Sequence, residues 1–232
     1  MPQHTLTRFD TELDQLKKHI LSMGGMVERA IKNAVSSILE QNKDLAEKTI
    51  ERDKAINALE IQSDEITRNI LVRHQPTAGD LRFIVAAIKV VTDLERMGDL
   101  AAGIAEGTLR TLKFPSAEYS NLEIIGEKVL LQVNRSLDAY SRGDIDLAME
   151  VIHKDRKIDK RYKTMYRELL TYMMEDPRSI SSSIIMSNVA KNLERIADHA
   201  ANIAEMVVYI IRGHDIRHVD HKEATRLLNE KD

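Results

Sequence analysis

Two fourteen-residue frames carry the chain's clearest candidate chemistry. The first runs from Asp93 to Glu106 and contains Leu94-Glu95-Arg96-Met97-Gly98-Asp99. The second runs from Asn192 to Glu205 and contains Leu193-Glu194-Arg195-Ile196-Ala197-Asp198, 99 positions further on. Each holds a Glu-x-x-x-Asp pair, and on a helix that spacing stacks two carboxylates on one face. Asp53/Asn57 and Asp155/Asp159 have the same spacing upstream of each frame. With a helical hairpin turning near Pro76, Asn57 and Glu95 each lie about 19 residues from the turn, and Asp53 and Asp99 about 23. Around Pro177, Asp159 and Glu194 lie about 17–18 residues away, and Asp155 and Asp198 about 21–22. Each half therefore gathers four side chains: Asp53, Asn57, Glu95 and Asp99, then Asp155, Asp159, Glu194 and Asp198.

Facing carboxylate pairs repel unless a cation lies between them or water screens them. As a metal site these residues offer only oxygen, which suits divalent or trivalent Mg, Ca, Mn or Fe rather than a dedicated zinc or copper centre. The competing reading is a set of solvated surface charges, neutralised by Arg52, Arg96, Arg156 and Arg195. Duplication at matching heights weighs toward a site. Asn57 leaves the first cluster one charge poorer, so it is expected to bind a cation more weakly. Glu106 and Glu205, seven residues beyond Asp99 and Asp198, could extend either cluster. Glu60/Asp64 correspond to Tyr162/Tyr166 and fall outside the duplicated set. Arg96 and Arg195 could instead meet phosphate or a partner protein through their guanidinium groups.

Histidine adds little. Glu150-Val151-Ile152-His153 is the one Glu-x-x-His, and a di-iron bundle needs two. His199 lies about 100° round the helix from Asp198. His214, His218 and His221, beside Asp215 and Asp220, belong to what reads as a mobile polar terminus. Nucleophile elbows and phosphate-binding Gly-Lys loops are absent from the sequence.

The elements that must position these residues are helices. Ala, Leu, Ile, Glu and Lys dominate, aromatics are 4%, and there are 4 prolines. Apolar spacing predicts helices over 9–41, 44–74 (with Asp44 as N-cap), 80–112, 122–141, 145–174 and 179–212. Gly24-Gly25 weaken the first by about 1 kcal/mol each. Gly24, Asp44, Ile50, Asp53 and Ile56 recur as Gly126, Asp146, Ile152, Asp155 and Ile158. The fold class is thus all-α: two tandem pseudo-symmetric three-helix bundles over 1–113 and 119–212, then a polar tail over 213–232. A net charge of −3 argues against nucleic acid. The lack of cysteine excludes disulfides and thiolate metal sites. No apolar run approaches the roughly 20 residues that span a bilayer, and the N-terminus lacks a signal-peptide core, so an intracellular protein without membrane insertion is expected.

Several stretches in order give the chain a family resemblance: Asp53-Lys54-Ala55-Ile56-Asn57, His74-Gln75-Pro76-Thr77-Ala78-Gly79-Asp80-Leu81-Arg82, Leu94-Glu95-Arg96-Met97-Gly98-Asp99, Thr171-Tyr172-Met173-Met174-Glu175-Asp176, Glu194-Arg195-Ile196-Ala197-Asp198 and the tail's Arg217-His218-Val219. Together they resemble the PhoU family of regulators of bacterial phosphate transport. The resemblance implies a cytoplasmic, non-enzymatic homodimer that restrains the phosphate-starvation response. Its implied partners are the ATPase subunit PstB of the phosphate ABC transporter and the sensor histidine kinase PhoR. It also implies multinuclear metal binding through Glu95/Asp99, Glu194/Asp198 and Asp155/Asp159, with Asp53/Asn57 departing from the all-acidic pattern. The alternative class is a metal-dependent helical-bundle enzyme, an oxidase or phosphohydrolase, which would need an open coordination position and a nearby base. A purely structural adaptor with empty clusters is a third reading.

Overall fold

A computed structural model describes residues 2–114, 120–217 and 219. Six helices follow one another: α1 (Pro2–Leu39), α2 (Lys43–His74), α3 (Ala78–Thr111), α4 (Ser120–Arg142), α5 (Ile145–Glu175) and α6 (Ile180–Arg212). The described residues contain no strand, and no helix among them is long and apolar enough to cross a membrane.

Local chemistry explains the boundaries. α2 starts one residue before Asp44, because Asn42 is the N-cap and accepts a hydrogen bond from the Leu45 amide at 3.0 Å. The repeat-equivalent Asp144 does the same for the Leu147 amide at 2.9 Å. Gln75, left-handed at φ 45°, ends α2 just before Pro76. In the second repeat Pro177–Ser179 form a single 3₁₀ turn, capped by Asp176.

α1, α2 and α3 pack as one bundle and α4, α5 and α6 as the other, with the broadest contact between them where α3 lies on α6. Buried apolar side chains of both repeats form one continuous core. The join has an internal two-fold. A β-carbon at Gly24 would stand 2.8 Å from Leu137, and one at the equivalent Gly126 would stand 2.7 Å from Val35, the equivalent of Leu137. Likewise Gly103 lies against Asn192, and their counterparts Asn202 and Asp93 are hydrogen-bonded at 3.1 Å. These pairings run in opposite directions along the chain, so α1/α4 and α3/α6 pack antiparallel. The α2–α3 and α5–α6 hairpin tips consequently sit at opposite ends of the molecule.

The expectation of a mobile terminus is corrected for the described part of the tail. Gly213, at φ 76°, turns the chain back toward Arg82, and Ile216 is buried in the core with Val219 packed beside it. His218, Asp220 and His221 lie outside the described residues.

Gly24 and Gly126 are close-approach residues, whereas a β-carbon at Gly25 would meet only Arg29, at 3.6 Å. Gly25→Ala is expected to raise stability by about 0.5–1 kcal/mol through helix propensity. Gly126→Val should lower it by about 1–3 kcal/mol by overpacking against Val35. Thermal melts of the two variants beside wild type check the opposite signs.

Candidate metal centre

The acidic side chains line two seams, α2/α3 and α5/α6, on helices that the shared core holds in register. In the second seam one oxygen each from Asp155, Asp159 and Asp198 lie within 4.8 Å of one another. Two oxygens bound to one ion at about 2.0–2.6 Å can be no more than roughly 5 Å apart, so the three can share a cation. Asp198 is pushed up to about 6, by burial first and then by repulsion from Glu194, Asp155 and Asp159. Burial also raises Asp155, and repulsion from Asp159 and Glu194 adds to it. The Gln132 amide opposes the rise, donating to Asp155 Oδ1 at 2.9 Å and to the Ala197 carbonyl at 3.3 Å.

Glu194, the fourth predicted member, is drawn aside into an ion pair with Lys191, whose ammonium also lies 5.3 Å from the Tyr162 ring centre. It still acts on Asp155 and Asp198 through its charge.

In the first seam Asn57 Nδ2 donates to Asp53 Oδ2 at 3.2 Å. The other oxygens, Asp53 Oδ1 and Asn57 Oδ1, are buried without a hydrogen-bond partner among the described residues. Orphaned buried oxygens of this kind fit a cation, because an unpartnered buried acceptor is otherwise costly. Ala30 stands at the position equivalent to Gln132 and offers Asp53 no amide. Burial and Asp99 raise the Asp53 pKa. Burial, Asp99 and Glu60 raise that of Glu95. Arg96 offsets part of this charge from 3.5 Å beside Glu95 and 3.8 Å beside Asp99.

Glu60 is therefore electrostatically part of the first cluster although it has no acidic counterpart in the second repeat. Duplication alone could not find it. Its place one turn below Ile56 on α2 was the available signal. Arg195, equivalent to Arg96, is exposed and forms no ion pair among the described residues.

Glu205 does not extend the second cluster. It lines a cleft of about 470 Å³ between α3 and α6, with Asp93, Asn202, Lys89 and Arg217. There burial raises it to about 7, against the attraction of Arg217. Glu106 is exposed. His199 likewise faces away, its Nδ1 donating to Asp93 at 2.8 Å. Glu150 pairs with Arg135 and Lys154, and His153 Nδ1 lies 2.6 Å from the Met149 carbonyl, so the lone Glu-x-x-His builds no centre.

Two oxygen-rich clusters on duplicated helical hairpins meet a matching family model. The model of the PhoU domain covers residues 20–108 and again 122–207. The chain belongs to the PhoU family. It is 43% identical to a phosphate-specific transport system accessory protein PhoU homolog of Pseudomonas putida, over 97% of this chain and 89% of that protein. It is 37% identical to the Escherichia coli K12 accessory protein PhoU, over 99% and 96% respectively. The crystal structure of PhoU from Pseudomonas aeruginosa superposes with a TM-score of 0.87 at 43% identity, covering 89% of this chain and 100% of that one. The phosphate transport system regulatory protein PhoU from Streptococcus pneumoniae gives 0.84 at 31% identity, covering 89% and 98%. These PhoU relatives are named as accessory or regulatory proteins, which sets the enzyme reading aside.

Asp198 and Glu205 hold protons more tightly in the folded chain than their ordinary values of 3.8 and 4.5. Protonation therefore favours the fold, and that contribution is lost as pH rises from about 4 to about 7. Chelator-treated protein should lose melting temperature across this window. Asp198→Asn should flatten the part up to about pH 6 and Glu205→Gln the part up to about pH 7.

Proposed function

We propose that the protein is a cytoplasmic negative regulator of the phosphate-starvation response. It acts by docking between the phosphate ABC transporter and a sensor histidine kinase, and it works as a homodimer. That it serves phosphate transport as an accessory protein follows from its family. The partners are those the family resemblance implies, and the metal reading rests on one observation: Asp155, Asp159 and Asp198 converge with one oxygen each within 4.8 Å, while the neighbouring Lys191 is paired with Glu194.

A cation at the centre of this cluster would relieve the mutual repulsion of the three carboxylates, which otherwise falls to protonation of Asp198 and to water. Asp155, Asp159 and Asp198 would hold it, with Glu194 beside them once released from Lys191. In the first seam Asp53 and Asn57 would hold it through their orphaned oxygens, with Glu95 and Asp99 completing the set. A divalent or trivalent oxygen-seeking ion supplies charge neutralisation, which fixes the α5–α6 spacing. Arg96 is already engaged by Glu95 and Asp99, so Arg195 is the freer guanidinium for a partner carboxylate or phosphate.

Elemental mass spectrometry on chelator-free protein is expected to find stoichiometric metal, lost in Asp155→Ala/Asp198→Ala. With the same variant, affinity for the transporter's ATPase subunit should fall by roughly 5–150-fold, the usual size of coupling between two sites. Metal-free wild type that docks at full affinity would reduce the clusters to charged surface.

A further inference from the structure

The outer face of α5 carries charge that the acidic seam does not use. Between Arg156 and Arg167 lie six cations and one acid, Asp159, and Asp159 turns into the seam. Arg156, Lys160, Lys163 and Arg167 follow one another at helical spacing and are all exposed, making a ridge about 16 Å long. None of the four forms an ion pair among the described residues. The ridge runs toward the α5–α6 tip, where Leu170 and Met174 continue the same face and Tyr166, Tyr172 and Ile180 flank it, all exposed. Met174 is 77% exposed, the most of any large apolar side chain described.

The opposite tip gives an internal comparison. Val72, the equivalent of Met174, is 74% exposed. There, however, Glu12 holds both Arg73 at 3.4 Å and His74 at 3.0 Å, and Ala58 and Glu65 stand where Lys160 and Arg167 would be. Apolar tips are thus common to both repeats, but the cation ridge belongs to the second alone, in a chain whose net charge is −3.

We infer that the α5 ridge and the α5–α6 tip form a docking surface for an anionic phospholipid bilayer, on which the protein rests without spanning it. The occupant follows from the chemistry. A row of unpaired Lys and Arg along a convex face meets mobile lipid phosphates without needing a fixed register. Met174 and Leu170, with tyrosines beside them, suit the shallow boundary between headgroups and acyl chains. Because the two tips sit at opposite ends, only one end can face the bilayer, which leaves the first tip exposed to solution. The ridge side chains are distinct from those that line the acidic seams.

Co-sedimentation of the full chain with vesicles tests this, comparing equal parts phosphatidylglycerol and phosphatidylcholine with phosphatidylcholine alone. Binding to the anionic vesicles only is expected, weakening with salt. Lys163→Glu/Arg167→Glu should reduce it by at least about tenfold. Met174→Asp should reduce it less, and Val72→Asp should leave it unchanged. All four side chains are exposed, and circular dichroism confirms that each variant folds. Absence of binding to anionic vesicles, equal binding to neutral ones, or full binding by the charge-reversed variant overturns the inference. So does Val72→Asp acting as strongly as Met174→Asp. If the ridge variant instead lost a protein partner while wild type ignored vesicles, the surface would belong to that partner.

Discussion

The antiparallel packing of α3 on α6 governs the position of every other element. Each of these helices is the third of its repeat and carries one Glu-x-x-x-Asp pair on the side away from the join. By burying Leu94, Met97, Ala101, Leu193, Ile196 and Ala200, the join pulls one face of each helix into the common core and turns the carboxylate face outward to its own second helix. α2 and α5 then close the seams. Small residues make the approach possible, since Gly24, Gly103, Gly107 and Gly126 all lie where a β-carbon would press within 3 Å of the other repeat. The internal two-fold is a packing solution reached twice with the same sequence material.

The seams themselves work against folding. Desolvation and mutual repulsion raise Asp53, Glu95, Asp155 and Asp198 together, so each seam would rather be protonated or neutralised than left as bare anions. The two repeats answer this differently. The first uses Arg96 and a neutral Asn57, and leaves two oxygens without partners. The second ties Asp155 to Gln132, pairs Glu194 with Lys191, and leaves three aspartates converging. A cation relieves the same strain in both, with more charge to neutralise in the second.

The sequence made the helices and their pairing legible because the apolar spacing is long and uninterrupted and because the frames recur. Matching heights about each hairpin turn were enough to bring Asp155, Asp159 and Asp198 together on paper. What escaped was set by side-chain choice among neighbours. Lys191 reaching forward one turn to Glu194, and Glu60 acting on Glu95 from the adjacent helix, depend on rotamers and helix rotation rather than spacing. Glu205 keeps the period of Asp198 but stands seven residues, about 10 Å, further along α6, where it lines the α3–α6 cleft. Gly24 read as a weak point in α1, and only the other repeat's Leu137 shows why a side chain there is excluded. The docked segment from Gly213 to Arg217 was hidden by its polarity, with the single buried Ile216 holding it.

The most direct test of the central claim is an anomalous difference map from crystals of manganese-loaded protein. A peak bound by Asp155, Asp159 and Asp198, with a weaker one at Asp53 and Asn57, is the predicted result. Loaded crystals with no peak in either seam, and the aspartates paired with Lys191 or solvated by water, would contradict it.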